Sequence, residues 1–499
     1  MRVRPPAWLS LTAVSVALVA SGCGTRLSDN SFATSNVITE QTALATASSA
    51  ASPGASGSAA PVAGPSGLPL TTAAAGPTGG PTVGPTSGPA VANTASDIGV
   101  TPTTIKLGTV SSITNAFDPT AFVGPQFGAA AWVDEINRRG GIHGRSVELL
   151  TCDDHGDGGR NNQCVHQLID NDHVFALVSN AIFSYAGAGY VQSKGVPDVG
   201  SQPISTAYDQ LSHLWDLYGE AYPRNGTIGY GGQLEGGTEV YHYFKAVYPK
   251  AALKAGVVYY NQADSQRFAD NITKGLEAEG YAVVAKEVNF ALPDYDSAVL
   301  DMKSQGVRYV YDALDAGGNQ NLCASMDTNG LSDQVEAKVT TTQSWTATIA
   351  SQYDQSPTCR NKIWATGNTL NYEDTGFAQV KAFRDAMTRR HTDSPSQLSE
   401  WALEGWAGAQ WLGDAIGSCG AQVTRRCVEG FMGGSTPYDG HGLLTERSFV
   451  KHGHTPRERN CLNVARWQDS AQAGRGGWVT QVKDMNTNCF DVATVLYTP

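Results

Sequence analysis

The sequence predicts an α/β protein whose folded part consists of two doubly wound parallel-sheet lobes. From Asp97 onward, short β-branched runs alternate with helical stretches, the order that builds parallel sheets. The alternation starts afresh near Gly229, so there are two such layers. Beyond the N-terminal region lie roughly 400 residues, too many for one ordinary core and about right for two.

In the first layer, "TIKLGTV" (Thr104 to Val110) reads as a strand, and Phe122 to Arg139 as a helix with Phe127, Ala131 and Ile136 among its apolar positions. Gly140 and Gly141 stop that helix. "SVELLTC", "VFALVSN" and "VPDVG" supply further strands, with a helix over "RNNQCVHQLIDN". In the second layer, "LKAGVVYYN" is a strand, and the helix after Asp264 sets Phe268, Ile272 and Leu276 on one face before Gly280. "YAVVAKEV", a helix from Asp296 to Gln305, "VRYVYDAL", a helix ending at Gly330 and "AKVTTT" complete it. The strand "IWAT" and the long helix "SEWALEGWAGAQWLGDAIG" follow, with Trp401, Leu412 and Ile416 assigned to a core. The tail, "LLTERSFVKHGHTPRERNCLNVARWQ" and "GGWVTQV", reads as short strands and hairpins.

The N-terminus has the layout of an export signal: Arg2 and Arg4, an apolar run from Trp8 to Ala20, then small residues. That run falls short of the ~20 residues a membrane-spanning helix needs. Ala20, Ser21 and Gly22 before Cys23 resemble a bacterial lipobox, which places a diacylated Cys23 at the mature N-terminus; a plain secretory signal cut elsewhere is the alternative. From Leu27 to Ser96 the chain is Ala, Ser, Thr, Gly and Pro with almost no charged or aromatic side chain. Such a segment buries too little apolar surface to offset its ordering entropy, so it is expected to be a disordered tether. As a flexible coil of about 75 residues it reaches roughly 45–50 Å.

A formal charge of −12 argues against a nucleic-acid partner, which needs a basic face. No later stretch is long and apolar enough to span a bilayer, leaving the lipid as the expected anchor. Besides Cys23 there are eight cysteines, an even number that reads as disulfides in an exported chain. Spacing favours neighbours: Cys152 with Cys164, Cys323 with Cys359, Cys419 with Cys427, and Cys461 with Cys489. Zinc sites built on Cys-x-x-Cys are absent from the sequence. Asp153, His155 and Asp157 imitate the start of a calcium loop, but its twelfth position is Cys164 rather than Glu, so these carboxylates read as turn and capping groups. No metal and no cofactor is expected.

Several segments, in this order, resemble the type I periplasmic binding proteins of ABC importers, in the branch similar to leucine/isoleucine/valine-binding proteins. They are "IGVTPTTIKLGTV", "INRRGGIHGRSVELLTCDD", "GVPDVG", "DYDSAVLDMKSQGVRYV", and "LLTERSFVKHGH" before "GGWVTQV". The resemblance covers about Asp97 to Val482. It implies two lobes joined by three crossovers that close on a small solute. The expected division is a signal over 1–22, a tether over 23–96, a first lobe over 97–225, a second lobe over 226–343, a return to the first lobe over 344–440, and a tail over 441–499 mainly on the second lobe.

In that branch, hydroxyls and backbone N–H groups of the first lobe hold the solute carboxylate, and an acidic side chain of the second holds the ammonium. By position, the resemblance points to Ser184 in the first lobe and to Ser205 or Thr206 in the loop after the fourth strand; each also suits a helix cap. Asn115 and Phe117 are candidates from the first loop, which departs from the family's usual Gly-Pro-Leu-Ser-Gly turn. Asp264 and Gln266 are candidates in "YNQADSQRF", which lacks the family's Tyr-Gly. Asp315, the choice for an ammonium partner, and Asn319 lie near where amino-acid binders place a glutamate. Trp345 is a candidate cleft wall or a core residue.

The resulting expectation is a lipid-anchored, monomeric, extracytoplasmic protein that delivers an amino acid or related solute to an ABC permease. An enzyme is disfavoured, since no Gly-x-Ser-x-Gly elbow or His-Glu-x-x-His helix occurs and His441, His452 and His454 sit in the tail. A sensor presenting its solute to a signalling receptor would share all these features.

Overall fold

The structure is a computed structural model and describes residues 92–115, 122–200, 204–218, 222–340 and 342–499. The signal, Cys23 and almost all of the tether lie outside the described residues, as does Phe117.

The first lobe is built on β1 (Thr104–Ser111), α1 (Gly124–Arg138), β2 (Ser146–Asp153), α2 (Gly158–His166), β3 (Ala176–Val178), α3 (Ala188–Ser193), β4 (Asp198–Gly200) and β5 (Leu214–Asp216). Its five strands are parallel, in the order β2-β1-β3-β4-β5. β1 runs near the centre with Ile105, Leu107 and Val110 fully buried, as expected of a strand covered on both faces. The helix expected over 160–171 is α2 followed by one π turn (Gln167–Asn171). Asp157 caps α2 through Arg160 N, and Asp153 accepts the Ile113 N–H, so both do turn and capping work.

The second lobe follows with β6 (Leu234–Gly237), α4 (Glu239–Val247), β7 (Lys254–Tyr260), α5 (Ala263–Ala278), β8 (Ala282–Val288), α6 (Tyr295–Ser304), β9 (Tyr309–Ala313), α7 (Ala316–Thr328), β10 (Ala337–Thr340), α8 (Ile349–Gln352), α9 (Pro357–Arg360) and β11 (Ile363–Gly367). The chain then adds α10 (Ala378–Arg390), α11 (Glu400–Ser418) and α12 (Arg425–Met432). It ends with β12 (Arg457–Cys461), β13 (Asn463–Gln468), β14 (Gly477–Thr480) and β15 (Cys489–Tyr497). The second sheet has the order β14-β13-β11-β10-β9-β7-β8, parallel from β8 to β11 and antiparallel at β13 and β14. A third, antiparallel sheet joins β12, β15 and β6.

The chain passes between the lobes three times: between β5 and β6, between β11 and α10, and between α12 and β12. β11 falls in the segment expected to return to the first lobe, yet it pairs with β10 and β13, so the return begins after Gly367. α11 then packs against α1 of the first lobe. The contact is backbone-close: a Cβ on Gly128 would lie 1.8 Å from the Ala402 carbonyl oxygen, and one on Gly405 would lie 2.2 Å from that of Pro125. Only glycine allows this approach. Trp401, Leu412 and Ile416 are buried, as their spacing predicted.

The four neighbouring cysteine pairs are closed as disulfides. Cys323–Cys359 ties α7 to α9 across 36 residues with both cysteines fully buried. In the chain-entropy account, a loop of that length stabilises by about 4 kcal/mol. The double variant Cys323→Ser/Cys359→Ser should therefore show a much lower urea midpoint than the parent. The same comparison after reduction of both proteins should show a much smaller gap.

Candidate functional site

Where the C-terminal ends of the two parallel sheets face each other, a cavity of about 530 Å³ opens between the lobes. This is the usual place for a ligand in open α/β sheets. Phe122, Phe183, Ser205, Thr206, Asp216 and Tyr218 form the first-lobe wall. Tyr260, Asp264, Arg267, Phe290 and Asp312 to Asp315 form the second. The crossings contribute Glu235, Thr366 to Asn368 and Arg447.

Of the residues singled out in the sequence, Ser205, Thr206, Asp264 and Asp315 come together on this wall. Ser205 caps a 3₁₀ turn (Thr206–Asp209) by accepting the Ala207 N–H. Asp264 pairs with Arg267 at 2.8 Å, one helical turn further along α5. Asp315 caps α7 through Gly318 N at 2.7 Å and accepts the Tyr260 hydroxyl at 3.0 Å. Burial and the neighbouring Tyr295 push the Tyr260 hydroxyl well above the usual tyrosine range, so it stays a donor.

The remaining candidates lie off this wall. Asn115 is buried and donates to the Ser112 carbonyl at 2.8 Å. Ser184 is half-buried beside the start of α2, its Oγ 3.2 Å from where a Cβ on Gly158 would stand. Gln266 donates to the Glu287 carboxylate at 3.0 Å on the exposed side of α5. Asn319 is fully buried and accepts from Lys338 Nζ and from the Thr340 hydroxyl. Trp345 is fully buried, its ring 5.7 Å from that of Trp478.

Several wall residues carry no sequence-level pattern. Arg267 Nη2 donates to the Ile204 carbonyl at 2.8 Å, a direct bond from the second lobe to the first. Its i, i+3 spacing from Asp264 was the one clue. Asp312 forms a fully buried ion pair with Lys338 at 2.8 Å. Glu235 lies on the hinge strand β6, with His454 against one carboxylate oxygen. Among the described residues, no group of three His, Cys, Asp or Glu side chains is placed to hold a metal ion.

Behind the cavity, two glutamates one turn apart on α11 hold the crossing segments. Glu404 accepts the hydroxyl of Tyr218, which lies on the first crossing, and the Asn368 N–H reaches that same hydroxyl at 3.4 Å from the second. Glu400 accepts the Thr369 hydroxyl and the Tyr372 N–H, the latter at 3.0 Å. Burial pushes both carboxyls up, Glu404 to about 8, with the Tyr218 hydroxyl pulling back against it.

A folded value of about 8 above the ordinary 4.5 means that Glu404's contribution is fully present below pH ~4.5 and is lost as the pH rises through ~8. Glu404→Gln keeps an acceptor for Tyr218 without an ionisable proton. Urea midpoints at pH 5, 7 and 9 should therefore show the variant gaining on the parent as pH rises. Parallel curves would show that Glu404 does not titrate in this range.

Two α/β lobes joined by three crossings, with a solute-sized cavity between them, define a two-lobed solute-binding protein. The family model described as "Periplasmic binding protein" matches residues 104–474, and the chain belongs to that family. Solved structures that share its fold include substrate-binding proteins of ABC transporters. The fatty acid ABC transporter substrate-binding protein from Thermomonospora curvata is 16% identical, with 79% of this chain and 95% of that chain covered and a TM-score of 0.58. The branched-chain amino acid transporter substrate-binding protein from Streptococcus pneumoniae, solved with isoleucine, is 17% identical over 76% and 99%, with a TM-score of 0.56. A solute-binding protein from R. palustris, solved with 4-hydroxybenzoate, is 15% identical over 78% and 98%, with a TM-score of 0.59. At these identities the likeness establishes the fold. No curated protein matches the chain.

Proposed function

We propose that this chain is a membrane-anchored extracytoplasmic protein that captures a small polar solute in the inter-lobe cavity and delivers it to the permease of an ABC importer. The observation carrying the reading is the composition of the cavity wall, which draws Ser205 and Thr206 from one lobe and Asp264, Arg267 and Asp315 from the other. A ligand touching both walls binds the closed arrangement better than the open one, and only such differential affinity moves the equilibrium. The Arg267 to Ile204 bond spans the same gap and adds to closure. The lipobox-like residues Ala20 to Cys23 support the anchor, and among the described residues no helix is long and apolar enough to cross a membrane.

Closure is tested by small-angle scattering. The parent should compact with its solute, and Arg267→Ala should have a larger radius of gyration before solute is added. Loss of one charge-assisted hydrogen bond, on the order of 1.5–3 kcal/mol, should weaken capture by about tenfold or more. Asp315→Asn, which keeps the α7 cap but removes the charge, should weaken binding of an ammonium-bearing solute without lowering the melting temperature. Equal scattering profiles with and without every solute that binds would refute the closing cleft.

The anchor is tested separately. In a bacterial host the parent should partition into detergent, Cys23→Ser should not, and the mature N-terminus should map to Cys23. A mapped N-terminus elsewhere removes the lipid from the proposal.

A further inference from the structure

At a pole of the first lobe away from the cavity, four arginines gather around two carboxylates. α1 and α10 pack together and end there, with Arg138 and Arg139 at the end of one and Arg389 and Arg390 in the last turn of the other. Glu135 accepts from Arg138 at 2.7 Å, from Arg139 at 2.6 Å and from Arg389 at 2.5 Å. Arg390 pairs with the exposed Asp134 at 2.5 Å. Glu135 is buried, whereas all four arginines are exposed. Further along α10 and just past it, Asp385 is paired with Lys381 and Asp393 accepts the Thr388 hydroxyl.

Basic side chains in a last turn answer the helix dipole, which explains one or two of them per helix. It does not explain three guanidinium groups on one carboxylate, where like charges crowd each other. The hydrogen bond from Arg138 above all holds the Glu135 carboxyl at about 2 against its burial, so it stays charged. Each of the three arginines keeps a guanidinium nitrogen without a protein partner among the described residues. Phosphate oxygens match such a cluster, because planar guanidinium groups bond them in pairs. A cavity of about 460 Å³ opens beside it between α1, α10 and α11, with the exposed Arg139 and His143 in its lining.

The chain enters the fold at this same pole. Asn93 donates to the His143 carbonyl at 2.8 Å, and His143 stands in the turn that follows Arg139. Arg145, at the end of that turn, donates to the Thr94 carbonyl at 3.1 Å. No residue of 124–148 or 378–390 lines the inter-lobe cavity.

We propose that this pole is a membrane-docking surface, on which Arg138, Arg139, Arg389 and Arg390 bind the phosphate groups of anionic phospholipids and leave the cavity on the far side from the bilayer. The proposal rests on the lipid-anchored reading, which brings a bilayer within reach, and goes beyond it. A body anchored through its N-terminal end presents that end to the anchoring surface. Each arginine close to an anionic surface adds affinity, and a formal charge of −12 over the whole chain disfavours docking by less basic faces.

The test uses the chain from residue 24 onward, which keeps every described residue but carries neither the signal nor Cys23. Its sedimentation with vesicles of phosphatidylcholine alone is compared with that on vesicles containing one third phosphatidylglycerol, at low ionic strength. Partition onto the anionic vesicles should be about tenfold higher or more. Arg138→Gln/Arg390→Gln, which leaves two guanidinium groups on Glu135, should lower it about tenfold or more while keeping the parent's melting temperature. Arg457→Gln/Arg459→Gln makes the same charge change at exposed positions of β12 and should partition as the parent does. If the first double variant fails to fold, Arg390→Gln alone, whose partner Asp134 is exposed, should lower the partition about fivefold.

Equal partition on the two vesicles, or equal loss in the patch and β12 variants, overturns the proposal. Retention on poly-glutamate without preference for anionic vesicles also overturns it and assigns the arginines to an acidic protein segment. Stabilisation by inorganic phosphate, again without vesicle preference, overturns it in favour of a free anion. The anchor itself is read from the mapped N-terminus and detergent partition, so either reading can fail while the other stands.

Discussion

The arrangement depends on a pair of carboxyl groups taken out of water inside α11. A buried carboxyl group is tolerated when hydrogen-bond partners replace the lost water, and here the donors come from the segments that connect the lobes. Tyr218 arrives from the first crossing, and Thr369 and Tyr372 from the second. Helix and crossings are therefore held to one another by these bonds. If the α11 glutamates faced solvent, the crossings would lose those anchors and the cavity its fixed rear wall. The close glycine contact between α1 and α11 completes the support by fixing α11 on the first lobe.

In front of this anchorage, charge is arranged differently in each part of the cavity. At the mouth, Asp264 orients Arg267 toward a carbonyl of the opposite lobe. Deeper, Lys338 offsets Asp312 within the sheet and also reaches Asn319, so a residue behind the wall orients one on it. Breaking a buried pair of this kind is expensive because it strands the surviving charge. The inner wall is accordingly stiff in its electrostatics, while the mouth depends on a single hydrogen bond.

The fold was largely legible in the sequence, because parallel strands buried on both faces leave β-branched runs long enough to recognise, as "TIKLGTV" and "LKAGVVYYN" did. β5 and β6 were missed for the opposite reason: with three and four residues they have no period to detect, and their positions follow from neighbouring strands. α10 was missed although its buried Val380, Phe383, Ala386 and Met387 recur at helical spacing. The cysteine pairs were legible from spacing because each closes within one or two neighbouring elements. The site was legible only in part. Asp264 and Asp315 stand at helix starts, where local sequence announces a cap, and such positions lie at the mouths of parallel sheets. Glu235, Arg447 and Tyr218 come from crossings whose course is set by tertiary packing, so nothing local marks them. Asn319 and Trp345 are near the right place in sequence but are fully buried off the wall.

The sheet that joins β6 to β15 has a consequence for how the molecule is made. Leu234 to Gly237 pair with Thr494 to Tyr497, so a hinge strand waits for a partner more than 250 residues downstream. α11, likewise, covers a first-lobe sheet whose strands were complete almost two hundred residues earlier. Closing such distant contacts is entropically slow, and until they form the early strands leave apolar faces uncovered. The two lobes are thus not units of folding. Neither corresponds to a continuous piece of chain, and a chain made from its N-terminus must hold its first half unfinished until β15 is made.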